Sequence, residues 1–352
     1  MKKLIILNTS QFGSLTDSYK WCEYLRYYYD ITFICFNNHW KRMDMDGVKY
    51  VYIYRFDNPV LRGVWYIFCT FIYCLFHRAP IFIVYFEHCS FLKKILPWKK
   101  MNVDIRTLAV SENTKNNYIK DAKMRKTIAK FDSVSFISRG VQEKLHVNVP
   151  NQYILPLGSD VICEIKKEWN NINLLYVGTL NHRDIIKTII GFHSYIEKYG
   201  KEGISYDIIG DGQELQMIKD YISSNNLQDV VTIHGKLPYD ELKPFFEKCN
   251  IGVSFVPIKE CYQYQPPTKT FEYLLSGLYC IATSTIANQE VVTEKNGILI
   301  EDSSSAFSSS LEFIVKNKHQ FDSKQIRDTV VCQYTWPHII NNKLIPILDN
   351  LY

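Results

Sequence analysis

The 352-residue sequence has no pair of cysteines at the short spacing a zinc module uses. Its ten stand at positions 22, 35, 69, 74, 89, 163, 249, 261, 280 and 332. Several lie inside apolar runs, Cys35 and Cys280 among them, which points to buried, reduced thiols in a cytosolic protein. Long hydrophobic runs are also missing. The longest apolar tract, 64–76, has 13 residues and is followed by His77 and Arg78. That is well short of the ~20 that span a bilayer, so no membrane crossing is expected. At the start, only Leu4 to Leu7 is continuously apolar, too little for a signal-peptide core, and it reads as a first strand. Gly 15 and Pro 12 are too few for a collagenous chain, and 47% hydrophobic with 22% charged residues excludes a disordered one. There is no short internal repeat, and 303–310 is the one serine-rich patch.

What is present is enough chain for two domains with full-sized cores. The net charge of +5 conceals a split: residues 1–158 carry 23 Lys+Arg against 12 Asp+Glu, a net +11, and the remainder carries 18 against 24, a net −6. A basic first half suits an anionic surface, either nucleic acid or membrane, or else is a solvated face. FLKKILPWKK at 91–100 interleaves Lys93, Lys94, Lys99 and Lys100 with apolar and aromatic residues, a pattern suited to anionic lipid headgroups.

Short apolar runs alternate with longer amphipathic ones: Leu4 to Leu7, Asp17 to Tyr29, Ile31 to Phe36, Val48 to Tyr54, Leu61 to Phe76 and Ile81 to Phe86. Strands are then expected at 102–107, 133–137 and 153–155, with a lysine-rich helix from Asn113 to Lys130. The alternation predicts βα units around a parallel sheet. Pro150, Pro156 and Gly158 mark a boundary, after which a second series begins. Its strands are expected at 174–177, 206–209, 230–233, 251–255 and 279–282, and its helices at 183–198, 214–224, 239–249 and 269–276. The fold class is α/β, two Rossmann-like domains in tandem, 1–158 and 159–334, with a last helix from Thr335.

In such sheets ligands bind beyond the carboxyl ends of the strands. YVGTLNHRDII puts Gly178 at a strand end and Arg183 at the start of the next helix, where a cation beside free helix N–H groups suits a phosphate. A plain structural glycine and arginine are the alternative. IIGDGQEL makes a tight turn through Gly210. In QPPTKTFEYLLSGLYCIATS, Pro267 starts a helix, Thr268 and Lys269 occupy its first turn, and Glu272 follows about one turn later. A carboxylate there can accept hydrogen bonds from the vicinal hydroxyls of a ribose, or form a helix-dipole pair with solvent.

The order and spacing of these loops resemble the C-terminal half of the family-4 retaining glycosyltransferases, which have the GT-B architecture. The resemblance covers Leu174 to Glu301 specifically, including NGILIED at 296–302, and the rest of the chain more loosely. It implies two Rossmann-like domains facing a central cleft, with the C-terminal helix returning to the N-terminal, acceptor-binding domain. It further implies that Glu272 holds a ribose, Lys269 and Arg183 a diphosphate, and that Gly178 lies beneath that diphosphate. Thr179, Gly210, Pro267 and Thr268 would be neighbouring donor contacts, and Glu290 would line the base. Two positions depart from the family pattern: Tyr264 replaces a first glutamate eight residues before Glu272, and Thr179 replaces an arginine, leaving that charge to Arg183. In the N-terminal half a family glycine pair is reduced to Gly13, beside Ser14, and the resemblance implies that this loop borders the donor phosphates and the acceptor, with both residues as donor contacts. A family histidine approaches the donor sugar, and His88 is the candidate, with a structural role as its alternative. Glu87, Asp104 and Arg106 are expected at the cleft, with an internal ion pair as the alternative for the last two.

The function implied is a cytoplasmic, retaining glycosyltransferase moving a sugar from a nucleotide-sugar donor to a glycan acceptor, lipid-linked, in surface polysaccharide synthesis. Attack on the donor's front face, with the departing diphosphate taking the proton, needs no protein nucleophile. No cofactor and no metal are expected, although Asp44 and Asp46 spell an isolated DxD. An anionic membrane surface is an expected partner. Nucleic acid is not, since it leaves the Lys269 and Glu272 segment unexplained. The alternatives are a sugar-nucleotide epimerase of the same fold and a non-catalytic sugar-nucleotide-binding partner.

Overall fold

The computed structural model describes residues 1–110, 114–265 and 267–352. They form two compact units, one of residues 1–157 with 336–352 and one of residues 158–335.

The first unit holds a seven-stranded parallel sheet of β1 (Lys2–Leu7), β2 (Tyr29–Asn37), β3 (Val48–Tyr54), β4 (Ile81–Val84), β5 (Met101–Ile105), β6 (Ser133–Phe136) and β7 (Asn151–Ile154), in the order 3-2-1-4-5-6-7. Helices α1 (Thr16–Leu25), α2 (Pro59–Phe76), α3 (Ser90–Ile95), α4 (Thr114–Ile128) and α5 (Arg139–Leu145) supply most of the crossovers that parallel pairing requires. Strands covered on both faces read as continuous apolar runs, and Leu4 to Leu7 and Ile31 to Cys35 are buried accordingly. Residues 336–349 close the unit as one helical run with a π segment at Ile340–Leu344. Its buried Trp336, Ile339 and Leu348 do most of the anchoring. Asp349 adds polar ties, accepting from Lys2 Nζ at 2.8 Å and the Tyr29 hydroxyl at 2.9 Å.

The second unit holds β8 (Ile172–Val177), β9 (Ile204–Ile209), β10 (Val231–Gly235), β11 (Ile251–Ser254), β12 (Tyr279–Thr283) and β13 (Gly297–Ile300), parallel in the order 10-9-8-11-12-13. Its helices include α6 (Ile186–Tyr199), α7 (Leu215–Ser224), α8 (Lys243–Lys248), α9 (Thr268–Leu275), α10 (Ile286–Gln289) and α11 (Ser304–Asn317). The winding direction reverses between β8 and β11, as it does between β1 and β4 in the first unit. At such switch points the loops diverge and leave a crevice.

Several local expectations are corrected. The helix expected over 17–29 stops at Leu25, because Tyr29 is claimed by β2, where it is buried and pairs with Lys2. The apolar tract at 64–76 belongs to an 18-residue helix that starts at Pro59, where the Asn58 side chain accepts from the Val60 and Leu61 N–H groups. By length and composition α2 is long and apolar enough to cross a membrane. The start expected at Asn113 lies outside the described residues. The 239–249 helix is broken into a 3-10 turn at Tyr239–Glu241 and α8, with Pro244 in the first turn of the latter. The serine-rich patch is the start of α11, capped by Ser303, whose hydroxyl accepts from Ala306 N–H at 3.2 Å. All ten cysteines are free thiols, but Cys332 is exposed and Cys69 and Cys261 are half-buried.

Candidate nucleotide-binding site in the second unit

A cavity of about 440 Å³ opens at the carboxyl ends of β8, β9 and β10, bordered by Gly178, Thr179, Asn181, Gly210, Asp211, Gly212 and Lys236. Its floor is made by two close backbone passes. A Cβ on Gly210 would collide with the Gly178 carbonyl, so the β8 and β9 loops can lie this near only with glycine there. A Cβ on Gly178 would stand 2.7 Å from the Lys269 ammonium and 3.3 Å from the Tyr176 hydroxyl. Gly178 is thus the joint between the cavity and α9.

The chemistry of α9 follows from how its other face is anchored. Thr270, Phe271, Tyr273, Leu274 and Leu275 are buried. The Thr270 and Ser254 hydroxyls lie 2.6 Å apart, Thr270 also donates to Asn288 Oδ1 at 3.2 Å, and the Tyr273 hydroxyl accepts from Val177 N–H at 2.8 Å. With that face fixed, Lys269 and Glu272 are left half-buried on the other. The Lys269 ammonium sits 3.9 Å from the centroid of the Tyr176 ring, a cation–π contact. Burial pushes Lys269 down to about 7, the positive charge of Arg183 adds to this, and Glu272 pulls the other way. Burial pushes Glu272 up to about 7, with Lys269 opposing and Asp160 reinforcing the rise. Burial thus disfavours charge on both groups, and an anion beside Lys269 with hydroxyl donors beside Glu272 would favour it.

Arg183 is not in a helix. α6 begins only at Ile186, because His182 and Asp184 adopt left-handed backbone, φ 53° and 54°. Its guanidinium carbon lies 4.5 Å from the Tyr262 ring centroid, and its charge is felt at Lys269. The expectation of free N–H groups here is corrected: the Glu214 carboxylate accepts from the N–H groups of Arg183, Asp184 and Ile185 at 2.7, 3.0 and 2.8 Å. That carboxylate occupies the place a phosphate was expected to take.

Thr179 is exposed beside the cavity, with its carbonyl accepting from the Tyr176 hydroxyl at 2.7 Å. Pro267 is the N-cap of α9, and Thr268 is exposed at its first position. Glu290 is exposed at the end of α10, where its charge adds to burial in raising Tyr334. The structure thus brings together Gly178, Gly210, Lys269, Glu272 and the Arg183 charge. Sequence reasoning missed Tyr176, Tyr262, Asp160, Glu214 and Lys236. Only Glu214 left a signal, as an acid at the cap of a helix after a GDG turn.

In the first unit Gly13, at φ 86°, and Ser14, whose hydroxyl donates to the Gln11 carbonyl at 2.5 Å, form the turn after β1. Glu87 and His88 are exposed after β4, His88 with φ 68°. Asp104 is corrected to a structural role, since it is wholly buried and accepts from Ser135 Oγ at 2.5 Å. Arg106 holds Asp17 at 2.6 Å and donates to the Leu155 carbonyl at 2.7 Å, with Asp104 3.7 Å away. The pair is an internal network. Burial lifts Asp104 to about 6 against the pull of Arg106 and Ser135. Asp44 and Asp46 are exposed in the loop before β3, and no cluster of metal-ligating side chains occurs among the described residues.

Comparison with known proteins bears on this crevice directly. The family model for glycosyl transferases group 1 matches residues 171–317, a span holding Gly178, Arg183, Lys269 and Glu272. Residues 171–317 thus match a group 1 glycosyltransferase domain. Solved structures with the same fold cover nearly all of it. Sucrose-phosphate synthase from Thermosynechococcus elongatus matches at TM-score 0.77 and 14% identity over 100% of this chain and 99% of that one. Anabaena Alr3699/HepE in complex with UDP matches at 0.73 and 12% over 99% and 100%. The lipopolysaccharide outer core galactosyltransferase WaaB matches at 0.73 and 14% over 100% of both. The two parallel-sheet units are thus a GT-B fold, with the group 1 domain in the second. Among curated proteins no sequence match was found.

Proposed function

We propose that this group 1 glycosyltransferase takes a nucleoside-diphosphate sugar in the second-unit crevice and passes the sugar to a glycan acceptor with retention of configuration. The observation that carries the reading is the Lys269 ammonium held beside Gly178, itself on the border of the cavity, with Glu272 one turn further along the same helix. Lys269 and Arg183 would face the diphosphate, and Glu272 the ribose hydroxyls. HepE was solved with UDP and with UDP and glucose, and WaaB acts on lipopolysaccharide, which supports a sugar nucleotide as donor and a lipid-linked glycan in surface polysaccharide synthesis as acceptor. The acceptor hydroxyl would attack the anomeric carbon on the face the diphosphate leaves, as the carbon–oxygen bond to the phosphate breaks. The hydroxyl proton would pass to the departing phosphate oxygen. The protein's contribution is electrostatic and positional: two cations meet charge as it develops, and no side-chain nucleophile is needed. A metal is not required by this scheme. The cytoplasm, where sugar nucleotides are made, is the proposed site of action.

The test is incubation of the chain with a panel of sugar nucleotides, with and without glycan acceptors, reading nucleoside diphosphate release and the anomeric configuration of the product. Acceptor-dependent release with a retained anomer supports the reading. Inversion, or conversion of the donor sugar without an acceptor, would overturn it.

A further inference from the structure

Helix α2 is turned the wrong way for a helix whose outer face meets water. The side chains it buries against the sheet are Tyr66, Thr70 and Cys74, and the Tyr66 hydroxyl donates to the Ile34 carbonyl at 2.9 Å. Half a turn away Val64, Phe68 and Ile72 form a stripe, 62%, 52% and 38% exposed, continued by Leu75 and by Phe76 at 76%. An amphipathic helix ordinarily puts its polar residues there. Arg62 is the one charged residue in the helix. The helix cannot leave the sheet to span a bilayer, since it is the crossover between β3 and β4 and keeps Tyr66 and Thr70 buried.

What stands beside this stripe says what covers it. Lys99 Nζ donates to the His77 carbonyl at 2.5 Å, tying the loop after α3 to the end of α2. There Phe91, Ile95 and Trp98 are exposed among the exposed cations Arg78, Lys94 and Lys100. A cavity of about 550 Å³ beside them is lined by Ser90, Phe91, Lys93, Lys94 and Lys130. Apolar stripe, interfacial tryptophan and a basic rim are the three parts of a surface that rests in the headgroup region of an anionic bilayer. We propose that the first unit docks on an anionic lipid surface through the outward face of α2, with the side chains at 64, 68, 72, 75 and 76 in the interface and Arg78, Lys94 and Lys100 on the headgroup phosphates. The helix lies along the membrane. This goes beyond the donor reading and does not depend on it.

The experiment is flotation of the full chain with vesicles of phosphatidylcholine alone or mixed with phosphatidylglycerol, at low and high salt. The wild type should bind the anionic vesicles and keep part of that binding at high salt. A Phe68→Ser/Phe76→Ser variant should bind at least tenfold more weakly while keeping its far-ultraviolet dichroism and its melting temperature without vesicles. Both side chains are exposed, so the fold is not at stake, and a Lys94→Glu/Lys100→Glu variant should separately lose the preference for anionic lipid. A wild type that ignores anionic vesicles overturns the proposal. So does a serine variant that binds as well as wild type, or a wild type that is a dimer without lipid affinity, because then a second copy covers the stripe.

Discussion

Lys269 is the group whose perturbation is most sharply specified. Free, its ammonium titrates at about 7 rather than 10.5, because burial and Arg183 disfavour the charge. A bound diphosphate requires that charge, so above pH 7 each donor must bring a proton with it. One pH unit above the midpoint costs about 1.4 kcal/mol, or tenfold in affinity. Calorimetry in two buffers of different ionisation enthalpy should show donor affinity falling about tenfold per pH unit between roughly 8 and 9, with uptake of one proton. Lys269→Met should bind more weakly below pH 7 and lose this alkaline fall. Stability supplies an independent sign. With its folded value lowered, the native protein holds fewer protons than the unfolded chain between about 7 and 10.5, so stability rises with pH across that window and is depressed below it. The full depression corresponds to at most about 5 kcal/mol. The methionine also loses the contact with Tyr176, about 2 kcal/mol when desolvated, so near pH 7 a net gain of roughly 1 to 3 kcal/mol is expected. Donor affinity that stays flat from pH 7 to 9 in the wild type, or a methionine variant with the same alkaline fall, would refute the reasoning.

Glu272→Ala should keep the fold and weaken donor binding by about 1.5 to 3 kcal/mol, roughly 10- to 150-fold, in the same calorimetric assay. Because Glu272 is raised to about 7, wild-type donor affinity should also decline as the pH falls below 7, and Glu272→Gln should remove that acid limb. Transfer should survive EDTA, since the charge on the diphosphate is met by Lys269 and Arg183; loss restored by magnesium would shift attention to Asp44 and Asp46.

The alternation of strands and helices was legible because a parallel sheet buries both faces of its strands, and so writes them as runs such as LLYV at 174–177. Lys269 and Glu272 were legible because a proline start fixes where the helix begins, and hence which residues fall in its first turns. Tyr176 and Tyr262 were not, since a tyrosine beneath a cation leaves no periodic mark. Glu214 was half legible: its place at a helix start shows in the sequence, but its bonds run to backbone about 30 residues earlier, and only the fold creates that proximity. The outward face of α2 was hidden for a related reason. An all-round apolar helix reads as a buried one, and the pattern carries no sign of which side meets the sheet.

The segment 336–352 gives the two units different histories during synthesis. The second unit is one unbroken stretch, so every strand and helix it needs has left the ribosome once residue 335 is clear. The first unit, although its sheet is made earlier, waits for a piece encoded after the whole of its neighbour, and until then the surface that receives Trp336 and Leu348 is open to water. The order of completion therefore runs against the order of translation, and the interval with apolar surface still uncovered belongs to the earlier-made half. A chain cut after residue 335 should give native-like protease resistance in residues 158–335 and rapid cleavage within 1–157; equal protection of both would show that the returning segment is dispensable for closing the first sheet.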